Sequence, residues 1–140
     1  MKLSLVIPTY NEKENIQKII QKIQREFKEN KINGELIIVD DNSPDGTGAI
    51  LDKLKTKQKN LKVIHRTGKL GLSSAVLEGW KIAEGDILGV MDADLSHPPE
   101  KIKHLFFPIK DNKADFTIGS RYIPGGRIEG WNIKRKLMSK

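Results

Sequence analysis

The run Leu36-Ile37-Ile38-Val39 constrains the fold more than any other part of this sequence, because apolar residues follow one another there without alternation. A half-buried strand alternates apolar and polar residues, whereas an unbroken run belongs to a strand covered on both faces, as in a parallel sheet. Leu3-Ser4-Leu5-Val6-Ile7 and Ile87-Leu88-Gly89-Val90-Met91 read as strands too, and Leu61-Lys62-Val63-Ile64-His65 as a shorter one. Helical segments separate them. Ile16, Ile19, Ile20, Ile23 and Phe27 recur at helical spacing after Pro8, with Asn11 and Glu14 placed as a capping box, and Asn33-Gly34 closes that helix. A second helix is expected from about Thr47 to Lys57, a third from Gly71 to near Gly85, and a fourth from Pro98-Pro99-Glu100, proline being favoured in a first turn. Phe116-Thr117-Ile118 is the expected fifth strand. Strands alternating with helices predict an α/β fold with a Rossmann-like, doubly wound, mostly parallel sheet.

With 140 residues and no repeat or linker, a single domain spanning residues 1–140 is expected. No apolar run approaches the roughly 20 residues that cross a bilayer, and Met1-Lys2-Leu3-Ser4 leads straight into a strand, so a cytoplasmic chain is expected. The absence of cysteine removes disulfides, thiol catalysis and Cys-ligated zinc, so any metal is held by oxygen or imidazole. The formal charge of +7, from 25 basic and 18 acidic residues, favours anionic partners. Nucleic-acid binding would rest on that charge alone and is not expected. Much of the charge falls on solvated helix faces, but Lys134, Arg135, Lys136 and Lys140 crowd beside Trp131 and Ile133.

Asp92-Ala93-Asp94 follows directly after an apolar strand, which puts hard oxygen ligands at the carboxyl edge of a sheet, where open α/β folds bind ligands. Such ligands suit Mg²⁺ or Mn²⁺ shared with a substrate phosphate. Three other strand-end loops are unusual: Pro8-Thr9-Tyr10-Asn11-Glu12, Asp40-Asp41-Asn42-Ser43-Pro44-Asp45, and Gly119-Ser120-Arg121-Tyr122. A parallel sheet brings them to one crevice, where an aromatic ring can stack on a base or ribose, carboxylates can accept from hydroxyls, and arginine can grip phosphate. Asp45 and Ser43 read as turn or cap residues, His65 and His104 as strand-end and surface residues, and Trp80 as core. His97 beside the acidic pair and Trp131 stay open between packing and ligand contact.

The order of these motifs, with Gly71-Leu72-Ser73-Ser74-Ala75 and Gly130-Trp131-Asn132-Ile133-Lys134-Arg135-Lys136, resembles glycosyltransferase family 2, of GT-A fold, most closely its dolichyl-phosphate mannosyltransferase branch. The resemblance covers essentially the whole chain as the N-terminal nucleotide-binding portion of that fold. It implies transfer of mannose from GDP-mannose to dolichyl or polyprenyl phosphate with inversion, dependent on Mg²⁺ or Mn²⁺, at the cytoplasmic face of a membrane to which the protein attaches peripherally. It further implies that Pro8, Tyr10 and Glu12 contact the nucleoside and that Val39 and Asp41 read guanine or ribose. Asp92, Ala93 and Asp94 would lie along the diphosphate, with Asp94 the principal metal ligand and Asp92 and Ser96 as further metal candidates. Arg121, Arg135 and Lys136 would bind donor or acceptor phosphate, and Asp92, Asp94 and Arg121 would carry the catalysis. Catalytic domains of the family run past Lys140, so a chain incomplete at its C-terminal end is expected.

Other readings predict different behaviour. UDP-glucose or UDP-GlcNAc could replace GDP-mannose, and a catalytically incomplete module would bind a GDP-sugar without transferring it. A phosphoacceptor receiver domain shares the Ile37-Ile38-Val39-Asp40-Asp41 pattern, but it places its acidic pair after the first strand rather than the second. A sugar nucleotidyltransferase opens with a glycine-rich loop, which Pro8 to Glu12 is not.

Overall fold

The computed structural model describes residues 1–127 and Arg135. Strand β1 (Leu3–Thr9), helix α1 (Ile16–Glu29), β2 (Gly34–Asp40), α2 (Thr47–Lys55), β3 (Leu61–His65), α3 (Leu72–Lys81), β4 (Ile87–Val90), a 3₁₀ turn (Pro99–Lys101) and α4 (Ile102–Lys110) follow in order. The four strands form one sheet in the order β3-β2-β1-β4, and every pairing is parallel. The order reverses between β1 and β4, which is where a doubly wound sheet opens a crevice.

The unbroken apolar runs arise because both sheet faces are covered. Leu5, Ile7, Leu36 and Ile38 turn to one face and pack with Ile16, Ile20 and Ile23 of α1, Leu51 of α2 and Ile102 and Phe106 of α4. Val6, Ile37 and Val39 turn to the other and meet Ala75, with Trp80 beside them on α3. Register follows from this alternation: Leu5 pairs with Leu36 and Val6 with Ile37, so a slip of one residue would exchange the two cores.

Three local expectations are corrected. The first helix begins at Ile16 rather than after Asn11: Asn11 takes a positive φ of 54°, and the carbonyl of Glu12 accepts the N–H groups of Asn15 and Ile16. Asn and Glu at capping-box spacing thus build a tight turn, with Asn15 Nδ2 donating to Glu12 Oε2 at 3.0 Å. The third helix stops at Lys81, because the N–H of Gly85 is drawn to Ser4 Oγ at 2.8 Å. Phe116-Thr117-Ile118 is not a strand among the described residues. Phe116 and Ile118 are exposed, and Thr117 Oγ1 donates to Leu105 O at 2.8 Å, so the segment leans on α4 instead of joining the sheet. Its β-rich composition lacks a strand to pair with there.

Candidate functional site

Residues at the carboxyl ends of the strands are bound into one rim by hydrogen bonds between loops. The Asp41 N–H donates to Thr9 O at 2.9 Å, the Asn11 N–H to Ser43 Oγ at 2.9 Å, the Glu12 N–H to Thr47 Oγ1 at 3.1 Å and the Lys13 N–H to Asp45 Oδ2 at 3.1 Å. The loop after β1 is therefore laid along the loop after β2. Asp45 also accepts the N–H of Thr47 at 3.0 Å and its hydroxyl at 2.6 Å. Burial alone would raise the Asp45 carboxyl, but these Thr47 bonds and the Lys13 N–H outweigh it and hold its pKa below the ordinary value. Asp45 and Ser43 act as turn builders, as their sequence context predicts; Ser43 Oγ donates to Asp40 Oδ1 at 2.5 Å.

Asp41 is buried and faces the loop after β3. Its Oδ2 accepts the N–H groups of Leu70 at 3.0 Å and Gly71 at 3.1 Å, while Oδ1 stands 3.2 Å from Arg66 Nε. Arg66 in turn donates to Ser74 Oγ at 2.7 Å and lies 3.5 Å from Glu78. The Oδ1 atom and Arg66 Nε are both buried and make no hydrogen bond, so the ion pair is what compensates each of them beneath the rim. Tyr10 is 38% exposed, enough to offer a ring face, and Lys69 Nζ stands over that ring 4.3 Å from its centroid. Val39 is fully buried, so its side chain serves the α3 core and only its main chain could meet a ligand. Pro8 is half-buried within β1, opposite Val39.

The acidic pair stands just beyond β4, where the Met91 N–H continues the ladder to Val6 O at 3.1 Å. Met91 and Ala93 are buried, so alternation turns Asp92 and Asp94 the other way, toward solvent. A turn with Leu95 at a φ of 64° closes on Asp94 Oδ1, which accepts the Ser96 N–H at 2.9 Å. Burial opposes charge on Asp94, but the Ser96 bonds and nearby His97 hold its pKa below the ordinary value, so it is ionised at neutral pH. His97 folds back on the pair: Nδ1 accepts the Asp92 N–H at 3.3 Å, and Nε2 lies 3.6 Å from Asp92 Oδ2. Among the described residues no three His, Asp or Glu side chains cluster as a protein-only metal cage. Two outward carboxylates with few other donors fit a hard divalent cation that takes its remaining ligands from water and phosphate.

Arg121 is half-buried in a turned segment that follows the one leaning on α4, and Arg135 is exposed. Lys136, with Trp131, Ile133, Lys134 and Lys140, lies outside the described residues. The structure thus joins the loops of Tyr10, Glu12 and Asp41 directly and sets Asp92 and Asp94 at the same sheet edge. Lys69 and Arg66 were not anticipated from the sequence, although the loop after β3 must reach the same edge as the others in a parallel sheet; its plain basic character gave no motif to notice.

The family profile of glycosyl transferase family 2 matches residues 4–138. A dolichol-phosphate mannosyltransferase of Pyrococcus furiosus is 49% identical over 140 residues, covering all of this chain and 39% of its own length. A polyprenol monophosphomannose synthase of Mycolicibacterium smegmatis is 42% identical over 140 residues, covering 97% of this chain and 51% of its own. The chain therefore spans about two fifths to one half of the curated relatives it matches. In three dimensions it resembles a mannosyltransferase from Pyrobaculum calidifontis in complex with GDP-Man and Mn²⁺, with a TM-score of 0.62 and 25% identity over 71% of this chain and 29% of that one.

Proposed function

This chain belongs to glycosyl transferase family 2, and from that premise we propose that it is the nucleotide-sugar-binding portion of an enzyme that moves mannose from GDP-mannose to a dolichyl or polyprenyl phosphate, inverting the anomeric carbon. The observation that carries this reading is the shared rim itself: Tyr10, Glu12 and Asp41 stand on loops bonded to one another, and Asp92 and Asp94 project from the same sheet edge. Relatives named for mannosyl transfer to dolichol or polyprenol phosphate support the choice of sugar and acceptor.

In this reading residues 1–140 lie within one GT-A domain. Tyr10 offers its ring to the base or ribose, with Pro8, Glu12 and the main chain of Val39 beside it, and Asp41 reads guanine or ribose from the end of β2. The main chain of Ala93 lies along the diphosphate between the two carboxylates, its side chain packing in the core. Asp94 and Asp92, with the Ser96 hydroxyl, hold Mg²⁺ or Mn²⁺. When bound, the ion neutralises charge on the departing nucleoside diphosphate. Arg121, Arg135 and Lys136 pair with donor or acceptor phosphate.

An oxygen of the acceptor phosphate attacks the anomeric carbon as the bond to the nucleoside diphosphate breaks. That oxygen is already anionic at neutral pH, so the protein needs no strong base, and positioning with charge stabilisation supplies the rate. Because the acceptor is a lipid phosphate, the assembly works at the cytoplasmic face of a membrane; among the described residues no helix is long and apolar enough to cross one. Calorimetric titration of GDP-mannose, UDP-glucose and UDP-GlcNAc with and without Mn²⁺ tests the reading. Preferential, Mn²⁺-enhanced binding of GDP-mannose is expected, and equal or absent binding of all three would remove the donor assignment.

A further inference from the structure

Lys69 is an exposed lysine whose ammonium lies over the face of the Tyr10 ring, 4.3 Å from its centroid. Its backbone is not free to wander. The Arg66 N–H donates to Asp40 O at 2.8 Å, and the N–H groups of Leu70 and Gly71 both go to Asp41 Oδ2, so the residues on either side of Lys69 are tied to the end of β2. Gly71 supplies the φ of 96° that lets the chain turn into α3 at that point. A fixed backbone carries a long, flexible stem, and only the ammonium can move.

We propose that Lys69 is a phosphate-binding residue held in reserve on Tyr10: the ring parks the ammonium in the free chain, and an arriving nucleoside diphosphate takes over the ring while its phosphates take the ammonium. This rests on the reading of the site given above. A cation over an exposed ring is weakly held, so stacking of a base can displace it. The displaced ammonium then needs an anion, and the diphosphate brings one to the same rim, where a lysine serves as a point charge. The exchange couples two events that would otherwise be independent. A nucleoside lacking phosphates must displace the ammonium without offering it a partner, whereas a diphosphate displaces it and re-pairs it.

Titration calorimetry with guanosine and GDP, in the presence of Mn²⁺, separates these cases in the wild-type chain, K69M and K69R. K69M is expected to weaken GDP about tenfold, the scale of one charge-assisted hydrogen bond, while guanosine binds no more weakly than to wild type. K69R is expected to retain most of the GDP affinity. Equal losses for guanosine and GDP in K69M would reduce Lys69 to a packing residue and overturn the proposal, as would unchanged GDP binding. Failure of the wild-type chain to bind GDP would instead overturn the nucleotide-site reading and this inference with it.

Discussion

Asp41 and Arg66 face each other as a buried ion pair, Oδ1 to Nε at 3.2 Å, with both side chains less than a tenth exposed. The same carboxylate holds Leu70 and Gly71 through its other oxygen, so one residue at the end of β2 fixes both the cation beneath the rim and the loop that brings Lys69 to Tyr10. The placement of the site and the stability of the fold meet in this pair.

Removing the guanidinium in R66M leaves the Asp41 charge in a poorly solvated position, with two backbone N–H groups as its remaining support. Breaking one partner of a buried pair costs about 3–5 kcal/mol, and a loss of that size is expected in urea unfolding. The double variant D41N/R66M should recover part of it, because a neutral amide replaces the stranded charge. A loss below about 1 kcal/mol in R66M would mean that water already reaches Asp41.

Glu35 sets a second dependence at the opposite end of the strands. Burial there disfavours its charge, but Ser4 Oγ at 2.5 Å, the Glu84 N–H at 2.7 Å, and the ammonium groups of Lys62 at 2.9 Å and Lys2 at 3.2 Å outweigh burial and pull its pKa down to about 2 from 4.5. The folded value is depressed, so its contribution is fully present above the unfolded pKa of 4.5 and is lost as pH falls toward 2. The shift corresponds to about 3 kcal/mol. Urea midpoints should therefore drop steeply between pH 4.5 and pH 2, and E35Q should flatten that drop while lowering stability at neutral pH. The same slope in E35Q and wild type would assign the acid sensitivity to other carboxylates.

The four strands and four α-helices were legible because burial on both sheet faces leaves a local trace: Leu36-Ile37-Ile38-Val39 cannot be half-buried, and Ile16, Ile19, Ile20 and Ile23 cannot share a face except in a helix. What escaped depends on partners remote in sequence. Phe116-Thr117-Ile118 has the composition of a strand, but pairing is supplied by a neighbour, and among the described residues that segment finds Leu105 instead. Asn11 and Glu14 have cap spacing, yet the bonds from the Asn11 N–H to Ser43 and from the Lys13 N–H to Asp45 draw the chain into a turn first. The acidic pair announced itself through its strand, whereas Lys69 gains meaning only from a ring 59 positions earlier in the chain.

Asp94 can be tested apart from the loop it stabilises. Its Oδ1 accepts the Ser96 N–H at 2.9 Å and supports the positive φ at Leu95, so D94A removes both a charge and a turn contact. D94N keeps an oxygen for Ser96 and removes only the charge. The Mn²⁺-dependent increment in GDP affinity is expected to vanish in both variants, with metal-free binding retained in D94N. Calorimetry with and without Mn²⁺ reads this directly, and an undiminished increment in D94N would exclude Asp94 as the principal ligand.

Gly79 tests how tightly α3 is pressed on the sheet. A Cβ at that position would stand 2.6 Å from Val6 Cγ1, 2.9 Å from Val6 Cγ2 and 3.3 Å from Val39 Cγ2, and both valines are fully buried. Alanine favours a helix over glycine by about 1 kcal/mol, but overpacking a core costs about 1–3 kcal/mol, and β-branched neighbours held in strands have few rotamers into which to retreat. The contacts should outweigh the propensity, leaving G79A less stable by about 1–2 kcal/mol in urea unfolding. The strain would also push on Ala75 and so on the start of α3, where Arg66 holds Ser74; GDP affinity should therefore fall along with stability. A stabilised G79A with unchanged GDP binding would show that α3 can lift from β1 without disturbing the rim.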